Sequence, residues 1–349
     1  MSSEQQKSEF RQDLVSGDWI LVAAKRLEYS KKITEKKLAQ EIKKSEKEIK
    51  DEIKNCPFED PQKSGNGEPF LAFDTSGNSI TDLSILANKW FLQIIPNKNP
   101  AIETHYAVCP EKEKTGLFSK INAVGFHEVV ITRAHNRKIA DFSETEIKIL
   151  IKAYKERYLK LSEEKCLKYI LIFHNSGKEA GASVNHPHSQ ILAVPIIPPD
   201  IGRSLNGCGV YFEKYKKCVH CEALEWELKQ GERIIYQNSE FVAFCPYASH
   251  LNFEIRIFPL AHKKNFELIQ ENEIAALADI FKKIFGRMRD KLQNPAYNFF
   301  IHTAPLNYLY DYHWHIEILP RMSVWGGFEL GTGIEVIIVS PEKAAEILK

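Results

Sequence analysis

The strongest constraint in this 349-residue sequence is an internal repeat. His135 and His186 stand 51 residues apart, and so do His262 and His313. The two pairs are offset by 127 residues, and the same offset carries His188 onto His315, Gln190 onto Glu317, Glu146 onto Glu273 and Ile147 onto Ile274. H-P-H-S-Q in the first half thus answers H-W-H-I-E in the second, and strand-like HEVVITRAH answers FEIRIFPLAH. Each half also opens with a cysteine motif, Cys56-Pro-Phe-Glu59 and then Cys218-Val-His-Cys221. A gap of constant length with matching chemistry at both ends indicates a duplicated unit. The chain is also long for one core, since domains usually settle near 100–200 residues. Two domains are therefore expected, 1–200 and 201–349.

Composition narrows the function. Hydrophobic residues make up 44% and charged residues 27%, ordinary for a globular protein. A formal net charge of +1 supplies no field to attract nucleic acid. No apolar run approaches the roughly 18 residues that span a bilayer, and the polar start MSSEQQKSEF lacks a signal-peptide core. A cytoplasmic protein with no membrane or nucleic-acid partner is expected. Seven cysteines are an odd number, and in a reducing compartment no disulfide framework is expected. The Cys218/Cys221 pair then points to metal or redox chemistry.

Residues 31–54 are a charged insertion in which Leu38, Ile42, Ile49 and Ile53 share one helical face; a solvated helix packed by one stripe is expected. Ser143–Leu161 reads as an amphipathic helix, with Ser143 and Glu146 at capping-box spacing. Tyr169–His174 and Gln190–Ile197 read as buried strands. Between them Asn175–Ser183 is a loop rich in Gly, Ser and Asn, and Pro198 and Pro199 end the second strand.

Four ligands of Cys and His type suit tetrahedral zinc. The second half offers Cys218, Cys221, His262 and His313; the first offers Cys56, His135 and His186, with Glu59 in the place of the second cysteine. In H-P-H-S-Q, strand alternation puts His186, His188 and Gln190 on one side of an extended chain. One histidine can be anchored while its neighbour projects into a pocket. A neutral imidazole attacks phosphorus to give a phosphoramidate, provided its other nitrogen is held in one tautomer. A neutral amide at 190 can bond a phosphoryl oxygen without adding charge. The small residues of the 175–183 loop let backbone N–H groups approach an anion. The string from Gly326 to Gly333 is a weaker signal of the same kind, or a cluster of turns.

These motifs resemble the galactose-1-phosphate uridylyltransferase family and its relatives, the plant-type ADP-glucose phosphorylases. The resemblance rests on H-P-H-S-Q, the preceding N-S-G-K-E-A-G-A-S loop, and the late H-W-H-I-E and G-G-F-E strings, and runs from Asp18–Val22 to Gly333. It implies an α+β fold built as a tandem duplication of a histidine-triad-like domain, mostly antiparallel sheets with packed helices, in a homodimer with one or two structural Zn²⁺ per chain. It implies that His188 is the nucleophile and Gln190 steadies the nucleotidyl-histidine. Arg26, Asn175, Gly181 and Ser183 would contact the nucleotide phosphates, and Phe328 and Glu329 the hexose. His186, His135 and Cys56 would hold the first zinc. The sequence departs at Glu59 and at Tyr29, where a second arginine would stand. The expected reaction is ping-pong transfer of uridylyl from UDP-glucose to a hexose-1-phosphate. The rivals are an ADP-glucose phosphorylase and, more distantly, a non-catalytic nucleotide-binding protein.

Overall fold

A computed structural model of the chain describes residues 7–26, 46–82, 89–104 and 109–349. The strands are β1 (Glu9–Gln12), β2 (Trp19–Val22), β3 (Leu71–Phe73), β4 (Leu92–Pro96), β5 (Glu113–Thr115), β6 (Phe118–Lys120), β7 (Phe126–Thr132), β8 (Tyr169–Ser176), β9 (His188–Val194), β10 (Ile234–Gln237), β11 (Phe241–Phe244), β12 (Ile255–Pro259), β13 (Tyr297–His302), β14 (His315–Pro320) and β15 (Val336–Ile337). The helices are α1 (Glu46–Lys54), α2 (Glu144–Ser162), α3 (Pro199–Tyr215), α4 (Val219–Gln230), α5 (Glu271–Lys291), α6 (Gly327–Thr332) and α7 (Pro341–Leu348). The fold is α+β.

Among the described residues, ten strands form one sheet in the order β10-β11-β12-β14-β13-β8-β9-β7-β4-β3. Every neighbouring pair in it is antiparallel. The order is symmetrical about the β8/β13 pair, where Phe173 lies opposite Phe300. These two residues are themselves 127 apart, so the duplicated halves meet on their own equivalent residues and share one sheet. The expected boundary after residue 200 falls in the first turn of α3.

The repeat extends to the helices. Ser143 caps α2, with Glu146 N donating to Ser143 Oγ at 3.2 Å and Ser143 N to Glu146 Oε2 at 2.7 Å. At the start of α5, Gln270 N donates to Glu273 Oε2 at 2.9 Å, on the residue equivalent to Glu146. Both helices cover one face of the sheet, and Ile147, Tyr154, Ile172, Ile191, Ile274, Phe281, Phe299 and Ile316 share a single core there. Alternation along β9 and β14 then leaves His188, Gln190, His315 and Glu317 on the opposite face.

Several local expectations need correction. β9 begins at His188, two residues before the expected Gln190, so His186 precedes the strand; Pro187 has no N–H to give a ladder. β9 ends at Val194, and β8 runs on through Asn175 and Ser176, which pair with Asn298 and Tyr297. Within the Gly326–Gly333 string, Gly327–Thr332 is a short helix, α6, capped by Gly326 and Gly333. Cys109 and Cys166 form a disulfide, their Cα atoms 5.1 Å apart, against the expectation drawn from the odd cysteine count. Of the charged insertion, residues 46–54 form α1, and 31–45, with Leu38 and Ile42, lie outside the described residues.

Candidate active site and metal-binding clusters

His188 opens β9 opposite Ile131 of β7, and is 6% exposed. Its Nδ1 donates to the carbonyl oxygen of His186 at 2.9 Å. A carbonyl only accepts, so the ring proton sits on Nδ1 and Nε2 keeps its lone pair. Burial pushes the imidazole below its ordinary value, against the pull of that carbonyl. Phe58 packs edge-on at 5.1 Å between centroids. The result is a neutral, single-tautomer ring, the form a nucleophile needs.

Gln190 lies two residues on, on the same face. Its Oε1 is 2.7 Å from His127 Nε2, and Ala101 N donates to His127 Nδ1 at 3.0 Å. His127 escaped the sequence reading, although its position in HEVVITRAH carried the signal: 127, 129 and 131 share strand parity, and Val129 pairs with Gln190. Ser189 points the other way, into the core. Its Oγ is 2.5 Å from Tyr154 OH and 2.9 Å from His174 Nδ1.

The loop after β8 is held by the second half of the chain. Asn298 Nδ2 donates to Asn175 Oδ1 at 2.7 Å and to the Ala180 carbonyl at 2.8 Å. Gly177, at φ +90°, lies so close to Ala296 that an added Cβ would stand 2.7 Å from the Ala296 Cβ. Gly181 caps the short turn Lys178–Ala180 at φ +82°. Exposed Ser183 lines a cavity of about 580 Å³ with Cys56 and His135. Arg26, Phe328 and Glu329 line a different cavity, of about 500 Å³, with Trp325 and Asn252. Within one chain, then, the expected phosphate contacts fall into two groups, with Arg26 beside Phe328 and Glu329 and away from Ser183.

Both expected ligand sets converge. Cys56, Glu59, His135 and His186 bring one donor atom each within 4.8 Å of one another, and so do Cys218, Cys221, His262 and His313. In the first, His186 Nε2 donates to the Thr132 carbonyl at 2.6 Å, which leaves Nδ1 as the free donor atom, 3.6 Å from Cys56 Sγ. Glu59 Oε1 is 2.8 Å from His135 Nδ1. In the second, Cys218 is the N-cap of α4, and Cys221 Sγ is 3.1 Å from His262 Nδ1 and 3.5 Å from His313 Nδ1. A hydrogen bond from Cys221 brings the Cys218 thiol down to about 6. Asp311 Oδ1 holds His262 Nε2 at 2.8 Å, the carboxylate partner a metal-bound imidazole commonly has. His262 and His313 stand just outside β12 and β14, not on a strand. These donor sets fit a tetrahedral ion such as zinc.

The second half repeats the His188 arrangement with a different neighbour. His315 Nδ1 donates to the His313 carbonyl at 3.1 Å, but Glu317 Oε1 lies 3.5 Å from its Nε2. Burial opposes charge on Glu317, yet Arg256 at 3.2 Å holds the carboxyl well below the usual range. A fixed anion therefore occupies the place where Gln190 stands in the first half.

Solved structures share this fold. ADP-glucose phosphorylase from Arabidopsis thaliana with bound ADP-glucose matches over 98% of this chain and 98% of its own, at TM-score 0.76 and 28% identity. A mutant uridylyltransferase covers 80% of this chain and 97% of its own, at TM-score 0.69 and 26% identity. By sequence, the Arabidopsis ADP-glucose phosphorylase is 32% identical over 354 residues, covering 100% of this chain and 94% of its own length. Galactose-1-phosphate uridylyltransferase from Thermotoga maritima is 31% identical over 276 residues, 76% of this chain and 86% of its own. The family model "Galactose-1-phosphate uridyl transferase, N-terminal domain" matches residues 1–198, and "Domain of unknown function (DUF4921)" matches residues 101–348. The chain is an enzyme of the galactose-1-phosphate uridylyltransferase family.

Proposed function

We propose that this protein transfers a nucleotidyl group from a nucleotide sugar to a phosphate acceptor through a covalent adduct on His188. The observation that carries this is the tautomer lock: the His186 carbonyl takes the Nδ1 proton, and Nε2 stands free on the Gln190 face. Nε2 attacks the α-phosphorus, the bond to the sugar-phosphate oxygen breaks, and the sugar phosphate leaves. An acceptor phosphate oxygen then attacks the same phosphorus and frees the ring. Splitting one displacement into two lets one pocket serve donor and acceptor in turn. Gln190, Asn175, Gly181 and Ser183 would bind the phosphoryl groups. A neutral amide at 190, where a hydrolase of this architecture would carry a third histidine, favours transfer over hydrolysis.

Two donor and acceptor pairs fit. UDP-glucose with a hexose-1-phosphate is the reading supported by the H-P-H-S-Q context and by the uridylyltransferase relatives. ADP-glucose with inorganic phosphate is favoured by the full-length likeness to the Arabidopsis phosphorylase. A panel of UDP- and ADP-sugars, each with hexose-1-phosphate or phosphate, separates them: turnover of only one donor with only one acceptor assigns the activity. If every combination is inert, the enzymatic reading fails.

The two metal-binding clusters would hold structural zinc, supplying fold stability and no chemistry at phosphorus. Arg26, Phe328 and Glu329 would reach the nucleotide sugar from a second copy of the chain, since in one chain they line a cavity apart from Ser183. A homodimer is the assembly this implies. Sedimentation that gives a monomer at full activity would overturn it.

A further inference from the structure

The hydrogen bonds around His127 set the direction of the Gln190 amide. A backbone N–H only donates, so His127 Nδ1, 3.0 Å from Ala101 N, is an acceptor. A neutral ring with Nδ1 unprotonated carries its one proton on Nε2. That proton goes to Gln190 Oε1, the nearest acceptor at 2.7 Å. Asn97 also packs against this nitrogen, its Nδ2 at 3.2 Å. Asn97 Oδ1 accepts from Asn99 N at 2.9 Å, so the Asn97 amide keeps its carbonyl turned away and cannot take the Nε2 proton. A protonated ring is ruled out by the same geometry, because Nδ1–H would face the Ala101 N–H. With its carbonyl taken, Gln190 has only its NH₂ group left for the open face of the sheet, the face on which His188 stands.

We infer that His127 is a positioning residue for nucleotidyl transfer: through Nε2–H it fixes the Gln190 amide so that NH₂, not the carbonyl, meets the phosphoryl oxygens. The inference rests on the reading of His188 as the nucleophile. Without His127, the amide is no longer held and is free to turn its carbonyl lone pair toward an anion. The same logic explains why a carboxylate would not serve at 190. It would accept the Nε2 proton equally well, but its second oxygen would face the phosphoryl group with negative charge; at the equivalent position of the second half Glu317 stands against His315 and Arg256, and Glu254 takes the place of His127.

The test is a double-mutant cycle on the full-length protein, with His127→Phe, Gln190→Ala and the double variant. The readout is the single-turnover rate of adduct formation with UDP-glucose and ADP-glucose, together with KM and melting temperature. His127→Phe is expected to slow adduct formation by about tenfold with KM changed by less than about twofold. The double variant is expected to be no slower than Gln190→Ala alone, because His127 acts only through the amide. His127→Gln, whose own amide NH₂ reaches the place of the ring Nε2–H, should recover most of the rate. Losses that multiply in the double variant, or a His127→Phe effect confined to melting temperature, overturn the inference while leaving the nucleophile intact. A wild-type protein that forms no adduct on His188 overturns both.

Discussion

His188 Nδ1 and the His186 carbonyl oxygen are 2.9 Å apart, and this single contact holds the ring proton on Nδ1 and leaves Nε2 with its lone pair. The same backbone turn that delivers the carbonyl also sends the His186 ring into the first metal-binding cluster, where it is fully buried. Candidate metal ligand and candidate nucleophile are therefore two ends of one three-residue segment, with Pro187 between them.

His188→Gly should abolish adduct formation, lowering turnover by roughly a thousandfold or more, with the melting temperature within a few degrees of wild type. Intact mass after incubation with each nucleotide sugar, under mildly alkaline denaturing conditions that spare phosphoramidates, is the measurement. An adduct of unchanged mass in the variant would place the nucleophile elsewhere.

Zinc should be present in the second cluster in every preparation, and at partial occupancy in the first, where Glu59 replaces a thiolate. Cys221→Ala and His262→Ala should each remove one zinc and lower the melting temperature by several degrees, since binding energy at a structural site is folding energy. Glu59→Cys should raise occupancy of the first cluster. His315→Ala should keep full zinc, because its ring contacts Glu317 and the His313 carbonyl and is not among the clustered donors. Elemental analysis of the four variants decides the assignment; full zinc in His262→Ala refutes it.

Asp311→Ala should weaken zinc binding at the second cluster by about 10- to 100-fold without removing any ligand. The 2.8 Å contact to His262 Nε2 fixes the ring so that Nδ1 faces Cys221. Competition with a chromogenic chelator measures it, and unchanged affinity would mean that the ring is oriented by packing alone.

Acid should destabilise the fold partly through His174. It is 3% exposed, stacked on Phe299, and burial lowers it to about 3. In the unfolded chain the same ring titrates near its ordinary 6.5. Between these values the unfolded state binds the extra proton, so stability falls as pH drops from about 6.5 toward 3, by up to about 1.4 kcal/mol per pH unit. His174→Phe removes this contribution and should flatten the urea-unfolding profile between pH 6.5 and 4.5. A profile parallel to wild type would mean the ring stays ordinary in the folded state.

Much of the site was legible because it depends on spacing along the chain. The 127-residue offset paired His135 with His262 and His186 with His313, since duplication preserves distances in sequence, and the matching three-residue spacing of Cys56/Glu59 and Cys218/Cys221 supplied the other donors of both candidate metal sets and marked Glu59 as the replaced ligand. Strand alternation placed Gln190 beside His188, and the Ser143/Glu146 spacing placed the start of α2. Each of these needs only backbone periodicity. The rest was settled by pairings between distant segments, for which local pattern carries no register. Fusion of the halves into one sheet depends on Phe173 meeting Phe300, and the Cys109–Cys166 bridge on a meeting across 57 residues. The proton on His127, and with it the face that Gln190 shows, depends on where Ala101 N comes to rest. The separation of Arg26 from Ser183 is likewise a matter of which cavity each segment lines. Chemistry and periodicity were thus written in the residue order. Tautomers, amide orientation and the division of the candidate substrate-binding residues between two surfaces arose only when tertiary packing brought fixed donors and acceptors against one another.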